Sequence, residues 1–183
     1  MRTMPQKIDF KYAGIIVGVV MTSCFIHEFG HFITGVLLGN KMKMTLNMTA
    51  PLHEYLHAWH APVVSSAGPL FTLLQAIVAF VLIQYDFSNR TLFVFLLTPV
   101  TLRIWSYLVS PFRAQDEAIV GQACGLAPWI FPLVVWLILG GLAWWGSRKI
   151  QVSSKFVWIT ILLILIAFQV VLRANNLVVS LLT

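Results

Sequence analysis

YAGIIVGVVMTSCFIHEFGHFITGVLL, residues 12–38, is an apolar run whose one charged residue, Glu28, lies between His27 and His31. A hydrocarbon core about 30 Å thick needs about 20 apolar residues of helix, so the run is long enough to cross a bilayer. Arg2, Lys7 and Lys11 precede it as the charged region of a signal peptide would. No A-x-A-like cleavage site comes before the polar break, and the run reads as a retained spanning helix.

Further runs of this kind occur at about 61–84, 91–109, 127–145 and 156–173, giving about five spans in one polytopic domain over residues 1–183. Composition agrees: 59% of the 183 residues are apolar and 10% charged, too few charges to cover a soluble globule of this size. Disorder, a collagen-like fibre and nucleic-acid binding are excluded on the same ground. The expected class is an all-α membrane protein whose formal charge of +6 meets anionic lipid headgroups. Cys24 and Cys124 do not make a disulfide framework. With five spans, Arg2, Lys7, Lys11, Arg90, Arg148, Lys149 and Lys155 fall on the N-terminal side, against Lys41, Lys43, Arg113 and Arg173 on the other. That asymmetry favours a cytoplasmic N-terminus.

Two intervals are more than connections. Residues 41–49, KMKMTLNMT, alternate polar and apolar, which predicts a small strand or hairpin at the membrane surface between the first and second spans. Residues 52–61, bracketed by Pro51 and Pro62 and holding Tyr55 and Trp59, predict a brief interfacial helix. Residues 110–126 contain Pro111, Arg113, Asp116, Glu117, Gly121 and Gly125 and depart from a simple span.

Chemistry enters with His27-Glu28-Phe29-Gly30-His31, an HExxH sequence. Histidines four apart on a helix share a face, so both imidazoles reach one metal ion while Glu28 lies beside it to handle a proton. A glutamate at bilayer depth is costly, and such residues face a protein interior or a wet cavity. A second HExxH, His53 to His57, is followed by His60. These three histidines read as an interfacial polar face, with an accessory metal site or a gate as alternatives. A zinc ion needs a third protein ligand. Asp116 and Glu117 are the two acids of the 110–126 interval; Asp86 reads as a solvated turn residue and Asp9 as a juxtamembrane charge.

In these residues the chain resembles the site-2 protease family of intramembrane zinc metalloproteases. HEFGH is similar to that family's HExGH, and Ala67-Gly68-Pro69-Leu70-Phe71-Thr72 resembles its A-G-P-x-x-N motif. Pro111 to Asp116 keeps the family's spacing from a proline to the aspartate of its L-D-G motif. Thr72 stands where the family has Asn, Gln115 where it has Leu, and Glu117 where it has Gly. The resemblance covers roughly residues 20–125, within a protease-like core of about 12–126; the helices over about 127–183 match nothing in it. It implies one zinc per chain held by His27, His31 and Asp116, with Glu117 as the alternative ligand, and a membrane orientation opposite to that favoured by the charge count.

The expected activity is hydrolysis of peptide bonds in or near transmembrane segments of a protein or peptide substrate, with Glu28 as base and then acid. A substrate helix must unwind before water reaches its carbonyls, and the 41–49 strand offers an edge to the unwound segment. Gly68 and Pro69, read as an interruption of the second span, together with Thr72 and Gln75, are candidate substrate contacts. Arg103 can pair with Glu117, snorkel, or steady an anionic intermediate. Cys24 reads as a packed apolar thiol. The rival classes are a membrane protein that binds or transports metal without hydrolysis, and a pseudo-protease scaffold.

Overall fold

The computed structural model describes residues 4–85, 89–109 and 115–182. Its elements run α1 (Phe10–Leu37), β1 (Met42–Met44), β2 (Thr49–Pro51), α2 (His60–Gln84), α3 (Arg90–Val109), α4 (Asp116–Ala123), α5 (Ile130–Lys149) and α6 (Ser154–Leu182). All of these except β1, β2 and the short α4 are long and apolar enough to cross a membrane, giving the five expected spans. The chain is an all-α membrane-type fold with one small antiparallel hairpin.

Local chemistry sets the boundaries. Asp9 caps α1 by accepting from the Tyr12 N–H at 2.8 Å. That bond, with the neighbouring Arg90 guanidinium, holds the Asp9 carboxyl below its usual value. At the other end Gly39 has a φ of +82°, a left-handed conformation that suits glycine. The Gly39 and Asn40 N–H groups then turn back onto the Val36 and Gly35 carbonyls. The chain leaves directly into the hairpin, where Met42 pairs with Pro51, Lys43 with Ala50 and Met44 with Thr49. Gly35 leaves room for the Met42 side chain, which would lie 2.5 Å from an added Cβ.

Two expectations are corrected. Residues 52–59 form no helix; they are an irregular strap, and α2 begins at His60. The strap is held instead by buried Asn40, whose side-chain oxygen accepts from the Leu56 N–H while its amide nitrogen donates to the Gly35 carbonyl and to His60 Nδ1. Gly68 and Pro69 do not interrupt the second span, because α2 runs through both. Pro69 removes the bond its nitrogen would have made to Ser65, a loss tolerated within an otherwise continuous helix. Asp86 and residues 110–114, including Pro111 and Arg113, lie outside the described residues.

One apolar cluster joins α1, α2, α3, α5 and α6, with Tyr12, Phe93, Ile83, Leu96 and Ile164 fully buried. At one end of the bundle Gln6 bonds Ser153 and Arg90 bonds the Lys7 carbonyl. At the opposite end the hairpin tip meets α6, where Asn47 bonds both Asn175 and Asn176, and Asn175 accepts from the Leu46 N–H. The hairpin, α4 and the C-terminal part of α6 therefore gather at the end toward which HEFGH lies.

Candidate metal centre

His27 and His31 lie one helical turn apart on α1, and α4 presents Asp116 to them at the start of its first turn. Nε2 of His27 is 3.2 Å from Nε2 of His31, and the Asp116 Oδ2 is 3.2 Å from the first and 3.3 Å from the second. These three atoms form a nearly equilateral triangle. Metal–ligand bonds of about 2.0–2.1 Å at tetrahedral angles separate neighbouring ligand atoms by about 3.3 Å, so the triangle has the dimensions of three corners of a zinc tetrahedron.

The far side of each ring fixes which nitrogen carries the proton. His31 Nδ1 is 2.7 Å from the Val64 carbonyl, which can only accept, so Nδ1 holds the hydrogen. His27 Nδ1 is 3.0 Å from Thr72 Oγ1, and the Thr72 hydroxyl spends its own hydrogen on the Gly68 carbonyl. His27 therefore donates from Nδ1 as well. With the protons on Nδ1, both Nε2 lone pairs point into the triangle beside the Asp116 carboxylate, a donor set that could hold a metal ion.

Space for the rings comes from α2. A Cβ on Gly68 would collide with His31 Nε2 and lie 2.5 Å from His27 Cε1. Gly30 does the same for the helix pair, since a Cβ there would lie 3.0 Å from the Ala67 carbonyl oxygen. The A-G-P stretch thus lets α2 lie flat beneath the imidazoles.

Arg103 of α3 completes the surroundings. Its Nη1 is 3.1 Å from Glu117 Oε1 and 4.0 Å from Asp116 Oδ2. Its Nη2 lies 2.9 Å from His27 Nδ1 and 3.2 Å from Nε2. An atom so nearly equidistant from both ring nitrogens would strike Cε1 if it lay in the ring plane. Nη2 therefore lies off the ring plane, within hydrogen-bond distance of both ring nitrogens.

His27, Glu28, Thr72, Arg103 and Asp116 all border a cavity of about 680 Å³. Pro99 and Trp105 of α3, Leu46 and Asn47 at the hairpin tip, and Phe168 and Gln169 of α6 close its other sides. Thr49 of β2 donates to the Glu28 carbonyl at 3.1 Å, fixing the hairpin against α1 beside this cavity.

The remaining candidates lie outside the triangle, although the His57 and His60 rings meet each other with centroids 5.0 Å apart. Glu117, 3% exposed, turns its carboxylate to Arg103 and away from the triangle. The Gln75 amide nitrogen bonds Ser23 and the Phe95 carbonyl, which ties α1 to α3. Thr72 is engaged with His27, and Gly68 and Pro69 are buried within α2. His53 and His57 are exposed on the irregular strap, where four-residue spacing creates no shared face, while His60 is buried against Asn40. Among the described residues the grouping of metal-ligating side chains is His27, His31 and Asp116 alone. Buried Cys24 borders the cavity one turn before His27. Sequence reading missed the orienting role of Thr72, the hub at Asn40 and the contribution of α6. A polar residue beside a helix-ending glycine was the available signal for Asn40; nothing local marked α6. No protein-family model, curated protein or solved structure matches the chain.

Proposed function

We propose that this is a multi-pass integral membrane zinc metalloendopeptidase of the site-2 protease type, which hydrolyses peptide bonds in or near transmembrane segments of membrane-protein substrates. The observation that carries the proposal is the triangle of Nε2, Nε2 and Oδ2 with both Nδ1 atoms already in hydrogen bonds, two of its residues, His27 and Asp116, bordering one cavity with Glu28. A mixed nitrogen and oxygen set of three with room for a fourth ligand is the donor chemistry of catalytic zinc. Charge supports it too: Glu28, Asp116 and Glu117 against Arg103 leave two negative charges, which one divalent ion neutralises.

A bound zinc ion supplies a Lewis acid that acidifies water and polarises a carbonyl. The chain's own residues do the rest. His27, His31 and Asp116 hold the ion, and Glu28 takes the proton of the attacking water and returns it to the leaving amine. The roughly 680 Å³ cavity admits an unwound stretch of substrate. The hairpin, anchored by Thr49 to the Glu28 carbonyl, brings a strand edge alongside it, where main-chain pairing can hold an extended chain.

The test is cleavage of a reconstituted membrane-spanning peptide by purified protein. Wild type cleaves; Glu28→Gln keeps its metal and loses cleavage. Metal transport into liposomes that survives Glu28→Gln would establish the transporter reading instead.

A further inference from the structure

We infer that Arg103 is a further catalytic residue: its guanidinium, clamped by buried Glu117, holds the oxyanion formed as water adds to the scissile carbonyl. The inference rests on the peptidase reading above. In that step the water oxygen bonds to the carbonyl carbon, its proton passes to Glu28, and the carbonyl π pair moves onto oxygen. Collapse breaks the C–N bond, and the amine takes the proton back. The negative charge exists only between these two events.

Three observations place Arg103 where that charge develops. Its Nη2 lies 2.9 and 3.2 Å from the two ring nitrogens of His27, so it is adjacent to one metal-facing donor. Its Nη1 stands 4.0 Å from Asp116 Oδ2, so the same guanidinium also lies near the third donor. The ion pair is also asymmetric. The Glu117 side chain is 3% exposed and does not border the large cavity, while Arg103 does, with 16% of its side chain exposed. A pair serving stability alone has no need to turn its cation toward the site. Arginine stays protonated under all relevant conditions and presents five donors in a rigid plane, of which Glu117 engages those on Nη1. Glu117 is then a positioning residue, which keeps the guanidinium from collapsing onto Asp116.

The measurement is anion binding to the full-length, cobalt-loaded protein in detergent, followed through the visible bands of Co²⁺. Phenylphosphonate serves as a tetrahedral anion and imidazole as a neutral ligand for the same open position. Losing a charge-assisted hydrogen bond weakens phenylphosphonate by about ten- to a hundred-fold in Arg103→Met, while imidazole binds as in wild type and Arg103→Lys recovers part of the loss. The double variant Arg103→Met/Glu117→Met leaves no unpaired buried charge and shows the same selective loss if the single variant does not fold. Equal binding of phenylphosphonate in wild type and variants, or parallel weakening of both ligands, overturns the role of Arg103 alone. Failure of wild type to take up cobalt overturns the metal centre, and the inference with it.

Discussion

Thr72 Oγ1 stands 3.0 Å from His27 Nδ1 and passes its own hydrogen to the Gly68 carbonyl, so a side chain on α2 fixes the tautomer of a histidine on α1. Partners of this kind on metal-binding histidines are worth about 10- to 100-fold in affinity. Thr72→Val should lower zinc affinity within that range, while Thr72→Ser keeps it near wild type. Competition with a fluorescent chelator measures both; a Val variant as tight as wild type would remove Thr72 from the site.

Ligand content follows from the triangle. Never-chelated wild-type protein should contain about one zinc per chain by elemental analysis. His31→Ala and Asp116→Ala should lose most of it, Glu28→Gln and Glu117→Gln should retain it, and His53→Ala and His57→Ala should change nothing. Retention by Asp116→Ala with loss by Glu117→Gln would reverse the assignment of the third ligand.

Gly68→Ala tests the space beneath the rings. Its new Cβ would run into His31 Nε2, so the imidazoles must separate or the helices part. Overpacking of this kind costs about 1–3 kcal/mol, and zinc content should fall with it. Gly140→Ala is the control, since an added Cβ there meets nothing within 4 Å.

Breaking the buried pair should follow the asymmetry of such pairs. Arg103→Met, which strands the 3% exposed Glu117, should destabilise the protein by about 3–5 kcal/mol, and Arg103→Met/Glu117→Met by less. Unfolding in mixed detergent measures the difference. A double variant less stable than Arg103→Met would show that the two residues do not act as a pair.

The hairpin tip should be held by α6. Asn175→Leu removes the acceptor for the Leu46 N–H and a partner of Asn47. Amide exchange at residues 45–48 should then accelerate while the α1 amides of residues 15–20 stay protected. Unchanged exchange at the tip would mean that the asparagine contacts do not restrain it.

Five spans, the hairpin and the presence of His27, Glu28 and His31 on one helix were legible in the sequence because each depends on neighbours a few residues away. Apolar length defines a span, alternation a strand, and four-residue spacing a helix face. The same local logic misled at residues 52–59, where a helical reading ignored the pull of Asn40, twelve or more residues upstream. The second HExxH, read as an interfacial polar face, lies on that irregular strap, where four-residue spacing makes no helix face. Between Asp116 and Glu117 the sequence offered two adjacent acids and no way to choose beyond resemblance. Residues one apart on a helix point about 100° apart, and the rotation of α4 against α1, α2 and α3 sends one carboxylate to the imidazoles and the other to Arg103. Which acid faces the histidines, which threonine orients them, and which distant helix walls the cavity are decided by packing between segments dozens of residues apart. Such contacts leave no periodicity in the chain.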